Sequence, residues 1–249
     1  MTSIHDEPTT TTSRAPLVFI HGSGDSARTW DPLIARLPGY ECLALNLPGH
    51  GDRVDRPGPP VMSVDDYADA MRAALARREL AGVTLVGHSL GGAITLRMAL
   101  EYPALIGRIV LVGTGARLRV LPPILAAAKS GDPAEVSRAH WDLVRLGFAP
   151  EHEAQAAAYF AALEPFAPGV YGRDLAACDA FDMMADLGRI EQPALLVTGE
   201  SDRLTPPKYG AFLRDRLENA RLALIPAAGH YAQVEAPDAV AAAIREWLG

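Results

Sequence analysis

Along this chain, short apolar runs ending in glycine or asparagine alternate with longer stretches in which apolar residues recur every three or four positions. Six runs of the first kind predict strands: Pro16 to His21, Tyr40 to Leu47, Val83 to His88, Arg108 to Val112, Ala194 to Thr198 and Arg221 to Pro226. Their apolar character is nearly continuous, as expected of strands buried on both faces of a parallel sheet. The second pattern predicts helices over Val64 to Arg78, Leu90 to Glu101, Pro207 to Leu217 and Ala236 to Leu248. Ser63 is placed to cap the first of these, with Asp65 and Asp66 at its positive end. The fold class is therefore α/β, a mostly parallel central sheet with helices on both faces.

From Gly115 to about Leu187 the rhythm breaks. This stretch is rich in alanine and helical in character, and it contains no convincing strand. Helices inserted between two strands of such a sheet would sit over the strand ends. The expected organisation is a flexible lead-in over 1–14, a core over 15–114 and 188–249, and a helical cap over 115–187. There is no internal repeat.

A chain of 249 residues, 49% of them hydrophobic, can bury one sizeable core. Its formal charge of −7, with basic residues scattered, argues against nucleic acid as a partner. No apolar run is long enough to span a membrane, and Met1 to Arg14 is polar and Thr-rich, unlike a secretion signal. Cys42 and Cys178 stand far apart, with no Cys or His at metal-ligand spacing. Together these features suggest a cytoplasmic protein.

The candidate chemistry starts at Gly87-His88-Ser89-Leu90-Gly91, a G-x-S-x-G pattern between an apolar strand and a helix. A turn that tight strains its central residue and pushes the Ser89 oxygen out above the sheet, at a helix N-terminus that favours negative charge. Serine needs a general base, and the base needs an orienting acid. His230 follows the last strand at the carboxyl edge of the sheet, where ligands of open α/β folds bind. Asp202 follows the preceding strand; Glu200 is its nearest rival, and Asp182 or Asp186 would serve only from an unusual position. The negative charge of acyl transfer would be met by the backbone N–H groups of Leu90 and of Ser23, the latter in the turn His21-Gly22-Ser23-Gly24. The alternative for Ser23 is a simple turn residue.

With these motifs the chain resembles the α/β-hydrolase superfamily from His21-Gly22, through Leu47-Pro48-Gly49-His50-Gly51, to Gly229-His230. The resemblance implies a Ser-His-Asp hydrolase with a helical lid, similar to small carboxylesterases, lactonases and carbon–carbon bond hydrolases. Asn46 departs from the family pattern, which has Asp before the Leu-Pro-Gly-His-Gly stretch, and puts local turn stability in doubt. Ser89 sets the chain apart from haloalkane dehalogenases and epoxide hydrolases, which carry aspartate there. There is no phosphate-binding loop, dinucleotide fingerprint or metal-ligand cluster, so no cofactor is expected.

Candidate substrate contacts are His88, Trp30, Trp141, Phe148, Phe181, Met184 and Tyr231, although most aromatic residues of such a segment pack on one another. Arg117, Arg119 and Arg145 could bind a substrate carboxylate, although exposed arginines need no such reason. The leading expectation is hydrolysis of a carboxylic ester, lactone or thioester of a small to medium apolar molecule through an acyl-enzyme on Ser89. Carbon–carbon bond hydrolysis with the same triad, and a non-catalytic ligand receptor on the same fold, are the alternatives. The sequence leaves a homodimer open.

Overall fold

The computed structural model describes residues 15–60 and 62–249; the expected lead-in over 1–14 lies outside the described residues. Six strands form one sheet: β1 (Leu17–Ile20), β2 (Cys42–Leu45), β3 (Val83–His88), β4 (Ile106–Val112), β5 (Ala194–Gly199) and β6 (Ala220–Ile225). Their order is β2-β1-β3-β4-β5-β6, and every neighbouring pair is parallel. All six fall within two residues of the predicted starts. The two-residue offsets are at β2 and β4; at β4, exposed Gly107 and Arg108 and a register shift opposite Val83/Thr84 interrupt the apolar pattern and hide the start of the strand.

The helices are α1 (Asp31–Ile34), α2 (Val64–Ala76), α3 (Leu90–Glu101), α4 (Pro122–Lys129), α5 (Pro133–Gly147), α6 (Glu153–Ala161), α7 (Val170–Ala180), α8 (Pro207–Arg214), α9 (Ala232–Glu235) and α10 (Pro237–Leu248). Ser63 caps α2 as predicted, in a reciprocal box with Asp66. The turn Ala27–Trp30 with α1 was not foreseen, because pieces of four residues are too short to show a period.

Successive strand residues point to opposite faces. Val18, Ile20 and Leu85 meet α2, α3 and α8 on one side. Leu17, Phe19 and Val86 meet α1, α9 and α10 on the other. Four helices, α4 to α7, occupy the chain between β4 and β5. They form apolar clusters around Tyr171 and around Phe148, and the second takes in Tyr231 from the loop after β6. Backbone bonds tie this segment to loops at the carboxyl ends of the strands: His230 N–H to Gly147 O, Ala167 N–H to Gly49 O, and Met183 N–H to Ala116 O. Among the described residues, no helix is long and apolar enough to cross a membrane.

Candidate active site

Ser89 lies between the last residue of β3 and the first of α3 with φ 52° and ψ −113°, outside every basin that L residues favour. Its neighbours explain how it is held there. A Cβ on Gly87 would sit 2.2 Å from Gly91 O, and one on Gly91 would sit 2.2 Å from Ile20 O. The helix therefore approaches the sheet more closely than alanine allows. Ser89 N–H donates to Val112 O at 3.0 Å, and Thr114 Oγ1 donates to Ser89 O at 2.8 Å.

His230 follows β6, and its Nδ1 lies 3.0 Å from Asp202 Oδ2. Asp202 Oδ1 accepts the N–H groups of Leu204 and Thr205, both at 2.8 Å, which folds the loop after β5 around its own carboxylate. Thr205 Oγ1 donates to Oδ2 at 2.8 Å and stands 3.1 Å from His230 Nδ1. Burial works to raise the Asp202 pKa, but the charge and N–H of His230 and the donors of Thr205 outweigh it, leaving the carboxyl below its ordinary range. The rival acids lie elsewhere: Glu200 is exposed, Asp182 pairs with Arg117, and Asp186 with Arg189.

Facing Ser89 is the turn after β1. A Cβ on Gly22 would come within 3.3 Å of Ser89 Cβ. His21 Nε2 accepts the Leu47 N–H at 3.0 Å, which leaves its proton on Nδ1, and Nδ1 donates to Gly22 O at 2.8 Å. Burial, with His50 adding to it, lowers the His21 pKa to about 3, so this neutral tautomer persists. The peptide thus clamped carries the Ser23 N–H. Neither that N–H nor the N–H of Leu90 has an acceptor among the described residues. Asn46, the departure from the family pattern, braces the neighbouring loops: Oδ1 accepts from Ala27 N–H and Nδ2 donates to Asp52, each at 2.7 Å.

Ser89, His230, Ser23, His88 and Tyr231 line one cavity of about 210 Å³. His88 Nε2 donates to His230 O at 3.1 Å, and burial drives its pKa well below the ordinary value, so its ring braces His230 as a neutral group. Five sequence candidates are not on this wall. Trp30 is wholly buried beneath the site, against Phe19 and His88. Trp141 packs on Phe160, and Phe148 stacks behind Tyr231. Phe181 belongs to the sheet core, and Met184 lines a separate hollow with Tyr209 and Phe212. In each case an apolar ring or chain found a closer apolar neighbour than the cavity. Of the arginines, Arg119 is on the lining and Arg117 and Arg145 are not.

Sequence reasoning missed two groups. Thr205 is one: the signal available for it was its spacing of three from Asp202, close enough for side chains that bond within their own loop. Asp25 also lines the cavity, accepting from Tyr159 Oη at 2.5 Å, and burial raises its pKa to about 6 against the pull of that hydroxyl. A larger cleft of about 830 Å³ is lined by His140, whose ring packs at 4.5 Å on Tyr171, a residue of the Ser89 cavity. No group of three or more metal-ligating side chains occurs among the described residues.

The sequence matches the model of the alpha/beta hydrolase family over residues 17–243. It is 31% identical over 250 residues to a pimeloyl-[acyl-carrier protein] methyl ester esterase of Neisseria meningitidis, covering 92% of this chain and 75% of the relative. An esterase of the same name from Aromatoleum aromaticum is 30% identical, with 94% and 98% covered. Among solved structures, a thermophilic esterase is 33% identical with a TM-score of 0.76, over 93% of this chain and 88% of that one. The enol-lactonase of Burkholderia xenovorans LB400, at 22% identity, shares the fold with a TM-score of 0.83 over 96% and 93%. The match runs through the sheet, the turn at Ser89 and the helices between β4 and β5, and the chain is an enzyme of the alpha/beta hydrolase family.

Proposed function

We propose that this enzyme hydrolyses carboxylic esters of small to medium apolar molecules through an acyl-enzyme on Ser89. The observation that carries the reading is the His230–Asp202 pair, held at 3.0 Å in the same cavity as a strained serine at the head of a helix. Ser89 Oγ attacks the ester carbonyl while His230 takes its proton. Asp202 fixes the imidazole tautomer and stabilises the imidazolium that forms. The carbonyl oxygen, now negative, is held by the N–H groups of Ser23 and Leu90. His230 then protonates the leaving alkoxide. Water repeats the attack on the acyl-enzyme, with His230 as base, and releases the acid.

Relatives named as esterases support ester cleavage over the alternatives raised by the sequence. Helices α4 to α7 act in this reading as a cap that excludes water from the intermediate. The test is hydrolysis of p-nitrophenyl esters from acetate to decanoate by the unsubstituted enzyme and by Ser89→Ala, both checked for folding by circular dichroism. A loss of about a thousandfold in the variant is expected. Absence of turnover on every ester, with no labelling of Ser89 by a fluorophosphonate, would refute the proposal.

A further inference from the structure

Asp174 lies on α7, within the helices between β4 and β5, and is wholly buried. It is not part of the triad and its sequence context gives no hint of chemistry. Its Oδ2 accepts the N–H of Gly24 at 3.2 Å and lies 2.9 Å from His50 Nε2. Its Oδ1 accepts the hydroxyl of Tyr67, on α2. Arg173 Nε donates to that same Tyr67 oxygen at 2.8 Å, so the phenol proton is committed to Asp174. Arg173 is fixed in turn, its guanidinium donating to Pro48 O at 2.6 Å and Pro59 O at 3.1 Å. Burial pushes the Asp174 pKa up, but His50, Tyr67 and Arg173 bring it below the ordinary carboxylate range, so the group is an anion.

The position of Gly24 gives this anion its meaning. The turn opposite Ser89 consists of two consecutive peptides. The first, Gly22–Ser23, is clamped at its carbonyl by His21 and leaves the Ser23 N–H without an acceptor. The second, Ser23–Gly24, is clamped at its N–H by Asp174. Ser23 is the pivot between them. With both flanking peptide planes fixed, its backbone torsions are fixed, and so is the direction of its N–H.

We infer that Asp174 is a positioning residue for the oxyanion hole: the cap segment reaches through it to the core and sets the aim of the Ser23 N–H. This rests on the ester reading given above. A charge-assisted bond from a group held on three sides is stiff, and a donor moved by an ångström loses much of its value to the transition state. Ground-state binding depends little on that aim. The effect therefore belongs in kcat and in the affinity for tetrahedral adducts.

The experiment compares Asp174→Asn with Val240→Ala, a truncation in the core on the far face of the sheet, at matched loss of thermal stability. For Asp174→Asn, kcat is expected to fall about tenfold to a hundredfold with KM within about threefold. The inhibition constant of a trifluoromethyl ketone that adds to Ser89 rises by the same factor. Val240→Ala keeps kcat within about threefold. Equal losses of kcat in the two variants, or a change confined to KM, overturn the inference. If Asp174→Asn does not fold, hydrogen exchange at the Gly24 amide of the unsubstituted enzyme decides: strong protection upholds the clamp, and exchange at the rate of a free peptide overturns it. Failure of the ester reading is seen separately, as absence of turnover in the unsubstituted enzyme.

Discussion

Replacing Asp202 by asparagine changes one atom, and the structure dictates which one. Oδ1 faces two backbone donors, the N–H groups of Leu204 and Thr205 at 2.8 Å. An amide nitrogen placed there would meet donors with donors, so the asparagine carbonyl must take that position. Its NH2 then falls where Oδ2 was, 3.0 Å from His230 Nδ1 and 2.8 Å from Thr205 Oγ1. It donates to Nδ1, which moves the imidazole proton to Nε2. A base carrying a proton on Nε2 cannot accept one from Ser89. The hydroxyl of Thr205 can turn to accept from the amide, so no buried polar group is orphaned, and the stability cost stays near 1 kcal/mol. The expected outcome is a fall in kcat of about 10⁴ with an almost unchanged melting temperature. The assay is steady-state turnover of a p-nitrophenyl ester beside a thermal melt. A folded Asp202→Asn enzyme that retains more than about a tenth of its activity would show that another group orients His230 and that the amide does not take the orientation its backbone donors impose.

Gly91→Ala places a methyl group 2.2 Å from Ile20 O, where backbone faces backbone and nothing can swing aside; a loss of about 3 kcal/mol or more in urea unfolding is expected, and a loss below 1 kcal/mol would contradict the close helix approach. Tyr171→Ala removes the ring between the 210 Å³ cavity and His140 of the 830 Å³ cleft, so the preferred p-nitrophenyl ester should lengthen by several carbons; an unchanged chain-length profile counts against that partition. Asp25 holds its proton more tightly folded, at about 6, than unfolded, at 3.8, so its contribution falls as pH rises between those values and reaches a penalty of about 3 kcal/mol above 6. Denaturant titrations from about pH 4 to pH 8 should therefore move Asp25→Asn by that amount in its favour relative to the unsubstituted enzyme, and a constant difference would refute the shift.

The sheet and the strained turn at Ser89 were legible because their causes are local. A strand buried on both faces writes a run of apolar letters, and the Gly87 and Gly91 contacts leave glycine no substitute, so both appear in the sequence directly. His230 and Asp202 were legible through their places after β6 and β5, where the parallel sheet delivers every loop to one edge. Of the pocket wall, only His88 and Tyr231 were legible. Whether Phe148 faces a cavity or stacks on Tyr231 depends on how four inserted helices dock, and no period in 115–187 encodes that. Asp174 was illegible for a sharper reason: its partners Gly24, His50 and Tyr67 lie 150, 124 and 107 positions away, and a buried aspartate on a helix looks, as a letter, like a solvated one.

The backbone at Ser89 bears on how such a protein changes over generations. A residue held at φ 52° and ψ −113° costs about 1–3 kcal/mol that glycine would not incur. Ser89→Gly is thus a substitution that folding alone would reward. A lineage released from the need to turn over substrate would drift away from serine with a gain in stability, keeping cavity and fold while losing the reaction. The serine in this chain stands against that slope.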